Sequence, residues 1–352
     1  MRFPEFKGEW KLNILDSVCT FHNGRAYKQH ELLSAGKYRV LRVGNFFTND
    51  SWYYSDLELE EDKTASDGEL LYAWSASFGP RFWKGEKVIY HYHIWKIDSF
   101  QEVCKEFLFY FLEKDAASIK NEVQGGTMAH ITKADMERRN ITYPTICEQS
   151  KIARLLFLLD HRIATQNKII EDLKKLKSSL LDLLFQNDSK WSTYCISDVL
   201  TIGNGRDYKH LKEGNIPVYG TGGYMLSVND YLYEGESVCI GRKGTIDMPM
   251  FLTGKFWTVD TLFYTYNFRN ILPRFCYYLF TTINWSRYNE ASGVPSLSKT
   301  TIEKIKVSVP SLNEQERICS ILDSVNIKIN IEISILAKFK AQKSYLLRQM
   351  FI

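Results

Sequence analysis

The chain is 352 residues long, 45% hydrophobic, 24% charged and 14% aromatic, which is the composition of packed globular domains and excludes a disordered or low-complexity polymer. Its 45 Lys and Arg outnumber 41 Asp and Glu to give a formal charge of +4; this suits nucleic-acid contact but falls short of the strongly basic balance of a general DNA binder. The seven Cys are scattered without a Cys-x-x-Cys pair, and no uncharged apolar run reaches the roughly 18 residues of a membrane span, so a disulfide scaffold and a Cys-rich zinc module are excluded, no membrane contact is expected, and the cytoplasm is the expected location.

Trp10-Lys11 opens a first globular region, which soon reaches Asn23-Gly24-Arg25-Ala26-Tyr27-Lys28. Gly allows close approach of the backbone, Arg25 and Lys28 can reach phosphates or guanine edges, and Tyr27 can stack or hydrogen-bond. A solvated turn uses the same residues, and both readings stand. Residues 87–95 are rich in β-formers and read as one strand. His91 and His93 then share a face; two metal ligands with no third nearby are outweighed by an ordinary sheet face. A short helix is expected from near Lys105. The loop Gly125-Gly126-Thr127-Met128 comes next, with Gly126 and Thr127 either touching DNA or joining the domain to the next helix.

Pro144 cannot be extended backwards as helix. Beyond it a series runs at alternating steps of four and three: Ile152, Leu156, Leu159, Ile163, Ile170, Leu173, Leu180 and Leu184, with polar Gln166 and Lys177 in the same series. A seam held this long is a coiled-coil pattern, and at ~1.5 Å per residue the helix spans on the order of 55 Å. The polar, non-periodic residues 186–190 are expected to link this helix to the second half of the chain.

The chain then repeats itself. Trp191-Ser192 opens a second region and Asn204-Gly205-Arg206-Asp207-Tyr208-Lys209 returns the earlier hexapeptide, so Arg206, Tyr208 and Lys209 inherit the same two readings. Gly241-Arg242-Lys243-Gly244-Thr245 reads as a turn between strands that displays Arg242 and Lys243. Residues 256–264 read as a strand, and a short helix is expected near Arg274. Ser292-Gly293-Val294-Pro295-Ser296 is the counterpart of the first glycine loop, and Gly293 is its candidate contact. From Lys299 the match to Lys133 onward is ungapped: Pro310 meets Pro144, Glu314-Gln315 meets Glu148-Gln149, and a second seam runs through Ile318, Leu322, Val325, Ile329, Leu336, Phe339, Leu346 and Met350. Its polar members Glu332 and Lys343 fall where Gln166 and Lys177 stand in the first. Polar residues at core positions cost stability but can fix register and partner. Equal lengths favour pairing of the two helices over each packing on its own domain.

The expected fold class is α+β, with two globular mixed α/β domains, residues 1–145 and 188–310, separated by two long helices, 146–187 and 311–352, that pair as an antiparallel coiled coil. The duplication is too long for a solenoid unit and makes the halves paralogous. No catalytic signature accompanies it. Asn-Pro-Pro-Tyr and Asp-Pro-Pro-Tyr are absent, as are a Gly-x-x-x-x-Gly-Lys-Ser/Thr phosphate loop and Gly-x-Ser-x-Gly, so the chain is expected to be non-catalytic.

Leu71-Tyr72-Ala73-Trp74-Ser75-Ala76-Ser77-Phe78-Gly79-Pro80 with Trp83-Lys84-Gly85 resembles one class of target-recognition domain in the specificity subunits of type I restriction–modification enzymes, and brings Arg81 and Lys84 among the candidate DNA contacts. Pro217-Val218-Tyr219-Gly220-Thr221-Gly222-Gly223 with Ile240-Gly241-Arg242-Lys243-Gly244-Thr245-Ile246 resembles another class. The Pro…Glu-Gln…Ile…Leu start of each helix is similar to that family's helical regions. The likeness covers essentially the whole chain, apart from a short N-terminus and the lack of a tail after Phe351-Ile352. It implies a subunit that binds double-stranded DNA, reads a bipartite asymmetric site and directs two copies of a DNA adenine methyltransferase subunit and an ATP-dependent restriction subunit. S-adenosylmethionine, ATP and Mg would belong to those partners, with no cofactor or metal in this chain. The alternatives are the recognition subunit of a type IIB-like enzyme, a helical scaffold that does not touch DNA, and an unrecognised enzyme.

Overall fold

The structure is a computed structural model and describes every residue except 1, 48, 76, 123–130, 187–189 and 352. It divides into two compact units, Met1–Gln166 with Ile335–Ile352, and Asn167–Ser334.

The first unit holds strands β1 (Lys11–Ile14), β2 (Thr20–Asn23), β3 (Tyr38–Leu41), β4 (Tyr53–Ser55), β5 (Thr64–Ala65), β6 (Leu70–Ser75), β7 (Ser77–Phe82), β8 (Val88–Tyr90), β9 (Ile94–Asp98) and β10 (Asn140–Tyr143), with short helices α1 (Val43–Phe47), α2 (Lys105–Glu122) and α3 (Lys133–Glu137). The strands are ordered β2-β9-β6-β7 in one sheet, β4-β3-β8-β5 in another, and β1-β10 in a ribbon. The long helix α4 (Ile146–Leu184) comes after them.

The second unit repeats this plan strand for strand. After α4 come β11 (Ser192–Cys195), α5 (Ile196–Val199), β12 (Thr201–Asn204), β13 (Glu213–Gly220), β14 (Gly223–Val228), β15 (Tyr233–Glu234), β16 (Ser237–Gly241), β17 (Met250–Leu252), β18 (Lys255–Thr258) and β19 (Leu262–Tyr266). Helix α6 (Pro273–Thr282), α7 (Lys299–Glu303), β20 (Lys306–Val309) and the long α8 (Leu312–Met350) complete it. The sheet orders are β12-β19-β16-β17, β14-β13-β18-β15 and β11-β20. Even the parallel pair recurs, as β3 with β8 and as β13 with β18.

Strand β6 shows why these runs are apolar without alternation. Leu70 and Tyr72 face one core, and Leu71 and Ala73 face another; a strand buried on both faces has no polar side to show. The same two-sidedness corrects the strand reading. Residues 87–95 are two strands, because β8 belongs to the sheet of β3 and β9 to the sheet of β2, and the chain crosses between them at His91-Tyr92-His93. Residues 256–264 divide in the same way, with Val259-Asp260-Thr261 as the crossover between β18 and β19. His91 and His93 therefore flank a turn rather than alternate along a strand.

Both long helices start on the same anchor. Buried Gln149 accepts from the Cys104 amide at 2.8 Å and donates to the carbonyls of Glu102 and Pro144 at 2.8 and 2.9 Å. Buried Gln315 accepts from the Leu272 amide at 2.7 Å and donates to the carbonyls of Asn270 and Pro310 at 2.9 and 3.0 Å. Each helix thereby grips the segment that starts α2 or α6.

The helix ends are exchanged. In the first unit Phe351, after α8, packs on Phe107 of α2 at 5.0 Å, and Leu346 and Met350 join the core that holds Ile152, Leu156 and Leu159. In the second unit Phe185, after α4, stacks on Phe275 of α6 at 5.2 Å, and Leu180 and Leu184 join the core of Ile318 and Leu322. The end of one helix thus lies beside the start of the other in each unit, which is antiparallel pairing. Ile170 and Ile329 are buried, and Ile163, Leu173, Leu180, Val325, Leu336 and Phe339 are half-buried. Lys343 is held in the first unit by Glu113 at 2.8 Å and Asp160 at 2.7 Å, and Asp160 also accepts from Tyr110 at 2.9 Å.

Candidate nucleic-acid interface

In the second unit the crossover Val259-Asp260-Thr261 gathers the predicted basic residues. The Arg206 amide donates to the Thr258 carbonyl at 2.8 Å, and the Arg242 amide to the Thr261 carbonyl at 2.8 Å. Gly205 permits this, because a Cβ there would run into the Val259 carbonyl. Lys243 bridges to Ser296, and the Gly244 amide donates to the Pro295 carbonyl at 2.8 Å, so the loop of Gly293 lies against the loop of Arg242 and Lys243. Asn204, Arg242, Lys243, Asp260, Glu290 and Lys299 line one groove there. Arg206, Arg242 and Lys243 are exposed, and among the described residues none of the three makes an ion pair. Tyr208 and Lys209 line a separate groove along the β13–β14 hairpin.

The first unit places the same hexapeptide at the same crossover and treats it differently. The Arg25 amide donates to the Tyr90 carbonyl at 3.1 Å, and Gly24 is needed because a Cβ would meet the His91 carbonyl. The Arg25 guanidinium, however, is forked onto Glu31 at 2.7 and 3.2 Å, and this holds the Glu31 carboxyl below the usual carboxylate range. Six residues after Arg206 the chain has Lys212 where Glu31 follows Arg25, so the second arginine has no such clamp. Tyr27 donates to the Tyr90 carbonyl at 3.3 Å, and Lys28 is exposed.

Arg81 and Lys84 do not join this group. Arg81 lies toward the far end of β7, over the Phe47 ring at 4.9 Å, and Lys84 sits in the turn beyond it. Gly126 and Thr127 lie outside the described residues. The rings of His91 and His93 are 4.9 Å apart, and among the described residues no group of three His, Cys, Asp or Glu is placed to hold a metal ion. No described helix is long and apolar enough to cross a membrane.

The family model for the type I restriction modification DNA specificity domain matches twice, over residues 7–175 and 188–341. The chain belongs to this family. It is 22% identical over 324 residues to the specificity subunit of the type I restriction enzyme MjaVIII of Methanocaldococcus jannaschii, covering 76% of this chain and 74% of that one. Its fold is similar to the solved S subunit of a type I restriction–modification system from M. genitalium, with a TM-score of 0.67 at 19% identity over 100% and 99% of the two chains. A chain from a structural account of complex assembly and conformational transition of the type I R-M system matches with a TM-score of 0.63 at 12% identity, over 98% of each chain. As a type I DNA specificity subunit, the chain has a non-catalytic role beside other subunits.

In this specificity subunit the residues that sequence reasoning missed are those beside the crossovers. Trp74, Tyr92 and His93 cluster at the first, with the Trp74 indole donating to the Tyr92 carbonyl at 2.8 Å; Asn204, Asp260 and Lys299 surround the second. The repeat of Asn23-Gly24-Arg25 marked both places, but nothing local marks a crossover between sheets.

Proposed function

We propose that the chain reads a bipartite, asymmetric site in double-stranded DNA, with residues 1–145 as the first target-recognition domain and 188–310 as the second. The helices 146–187 and 311–352 are the frame on which two copies of a DNA adenine methyltransferase subunit and an ATP-dependent restriction subunit assemble. Those partners carry S-adenosylmethionine, ATP and Mg and perform adenine-N6 methylation and cleavage, in the cytoplasm. A single observation carries this reading. Two units with one strand order present the same loop at the same crossover, with different side chains around it. A duplicated scaffold offers two equivalent places for a partner, and unlike tips read unlike half-sites. Tyr27, Lys28, Arg206, Tyr208, Lys209, Arg242, Lys243 and the Gly293 loop are the proposed contact set near the crossovers; Arg25, forked onto Glu31, is proposed to hold its loop, and Arg81 and Lys84 are peripheral. Mapping of methylated adenines in the host, with and without this chain, tests the proposal. The expected result is one bipartite motif that disappears with the chain; an unchanged set of motifs refutes it.

A further inference from the structure

The two crossovers share most of their backbone bonds, although the Tyr92 amide donates to the Arg25 carbonyl at 3.1 Å only in the first and the Lys243 amide to the Thr261 carbonyl at 3.3 Å only in the second. Asn23 pairs with Trp95 as Asn204 pairs with Phe263, and Ala73 pairs with Ile94 as Gly241 pairs with Leu262. One residue further, the Trp74 amide donates to the His93 carbonyl at 3.1 Å, as the Arg242 amide donates to Thr261 at 2.8 Å. Trp74 therefore stands where Arg242 stands, Tyr92 where Asp260 stands and His93 where Thr261 stands.

Identical placement carries opposite chemistry. Around the first crossover, Trp74 meets His93 edge-on at 5.0 Å and stacks on buried Trp95 at 5.7 Å, which fixes its plane. Tyr92 is 39% exposed, and its ring lies 3.9 Å from that of His93. Burial pushes the His91 imidazole down to about 4, helped by His93 and Arg42, and lowers His93 as well, so both are neutral at pH 7. Of the nearby arginines, Arg25 is ion-paired with Glu31, whereas Arg42 lies half-buried over the Tyr53 ring at 4.3 Å, a contact that leaves its charge in place. Lys28 remains exposed beside them. Around the second crossover Arg206, Arg242, Lys243 and Asp260 are all exposed.

Resting on the proposed DNA reading, we propose that the two half-sites are read by different chemistry. The second domain holds its half-site through Arg206, Arg242 and Lys243, and the first reads through the uncharged rings of Trp74, Tyr92 and His93. A cation on a phosphate releases a counterion, so each such contact adds about 0.9 to the slope of log affinity against log salt. An aromatic ring or neutral imidazole contributes stacking, contact with a thymine methyl group or a hydrogen bond to a base edge, and releases no ion.

The test uses the full chain and a duplex of about 30 bp, long enough to span both halves of a bent or straight site, carrying the motif found by methylation mapping. Companion duplexes have one or the other half scrambled, and affinity is measured across a KCl series. Arg242→Ala and Lys243→Ala should weaken binding to all duplexes and lower the salt slope by about one each. Tyr92→Ala and His93→Ala should keep the wild-type slope and lose at least about tenfold of the discrimination at one half-site, the cost expected for a lost base contact; Tyr92→Phe, which keeps the ring, should retain it. Wild-type discrimination in both Tyr92→Ala and His93→Ala, or a slope reduced as in Arg242→Ala, overturns the inference while leaving the DNA reading intact. A wild-type chain that binds intact and scrambled duplexes alike overturns both.

Discussion

Replacing Gln149 by Leu keeps the side-chain volume but removes one acceptor and two donors from a fully buried site. The Cys104 amide and the carbonyls of Glu102 and Pro144 lose their bonds of 2.8 to 2.9 Å. A buried backbone group left unsatisfied costs roughly 1–3 kcal/mol; at the lower end of that range, since the Cys104 and Glu102 bonds are only part-buried, the three together cost about 3 kcal/mol. Gln315→Leu is the same experiment in the second unit, on the Leu272 amide and the carbonyls of Asn270 and Pro310. The segments concerned already hold left-handed backbone at Glu102 (φ 57°) and Asn270 (φ 54°), a conformation that costs about 1–2 kcal/mol for a residue with a Cβ and persists only when its surroundings impose it. Losing the glutamine should therefore open these segments first. Native-state hydrogen exchange reads it directly: about 3 kcal/mol is roughly a hundredfold drop in protection, at Cys104 in one variant and at Leu272 in the other. Each variant is the control for the other. Protection within about threefold of wild type at both amides would show that the glutamines do not hold the helices to the domains, since 1.4 kcal/mol corresponds to tenfold.

Arg206→Ala should lower the salt slope of DNA binding by about one unit, whereas Arg25→Ala, whose guanidinium is forked onto Glu31, should leave it unchanged; wild-type affinity and slope in both variants would place both side chains in a solvated turn, and a slope lowered in both would show that Glu31 does not withhold Arg25. Exchanging residues 190–309 for the matching segment of a relative should change one half of the methylated motif, read by methylation mapping, and a change in both halves would refute modular recognition. The purified chain alone should neither methylate nor cleave DNA, measured by methyl transfer from labelled S-adenosylmethionine and by gel assay; methyl transfer by the isolated chain would place a catalytic site within it.

The long helices were legible because a seam at alternating steps of four and three is written along the chain, and the polar pair Lys177 and Lys343 sat in register within it. Antiparallel pairing was expected from the equal seams, and the structure adds the exchange of Phe185 and Phe351. The sheets were legible only in part. β-rich composition runs unbroken through residues 87–95 and 256–264, and a chain that changes sheets keeps its apolar character, since both cores want the same residues. The crossovers were therefore not legible, so His93 read as part of a sheet face, Trp74 only as part of a family-like motif, and Tyr92 as one more strand residue. Arg25 was named for its type, and only the fold shows that Glu31 occupies it. Sequence finds a basic residue, whereas its freedom depends on a partner whose approach is set by a turn.

The contrast between frame and tip shows how one fold carries two different sets of side chains at equivalent places. The anchoring glutamines, the glycines under the crossovers and the exchanged phenylalanines occur in both units with the same partners, and each has a backbone or core contact that a substitution would break. The side chains that differ, Trp74 against Arg242 and Tyr92 against Asp260, sit where the amides of Trp74, Arg242 and Tyr92 make backbone bonds that any residue except proline can make. Their replacement costs little stability, because surface substitutions away from caps, cores and buried polar groups stay within about 0.5 kcal/mol. Trp74 is the partial exception, since it rests on Trp95, and Trp74→Arg should therefore cost more than Arg242→Trp. Chemical denaturation of the two variants decides this: equal losses would mean that the first tip is as free of structural duty as the second.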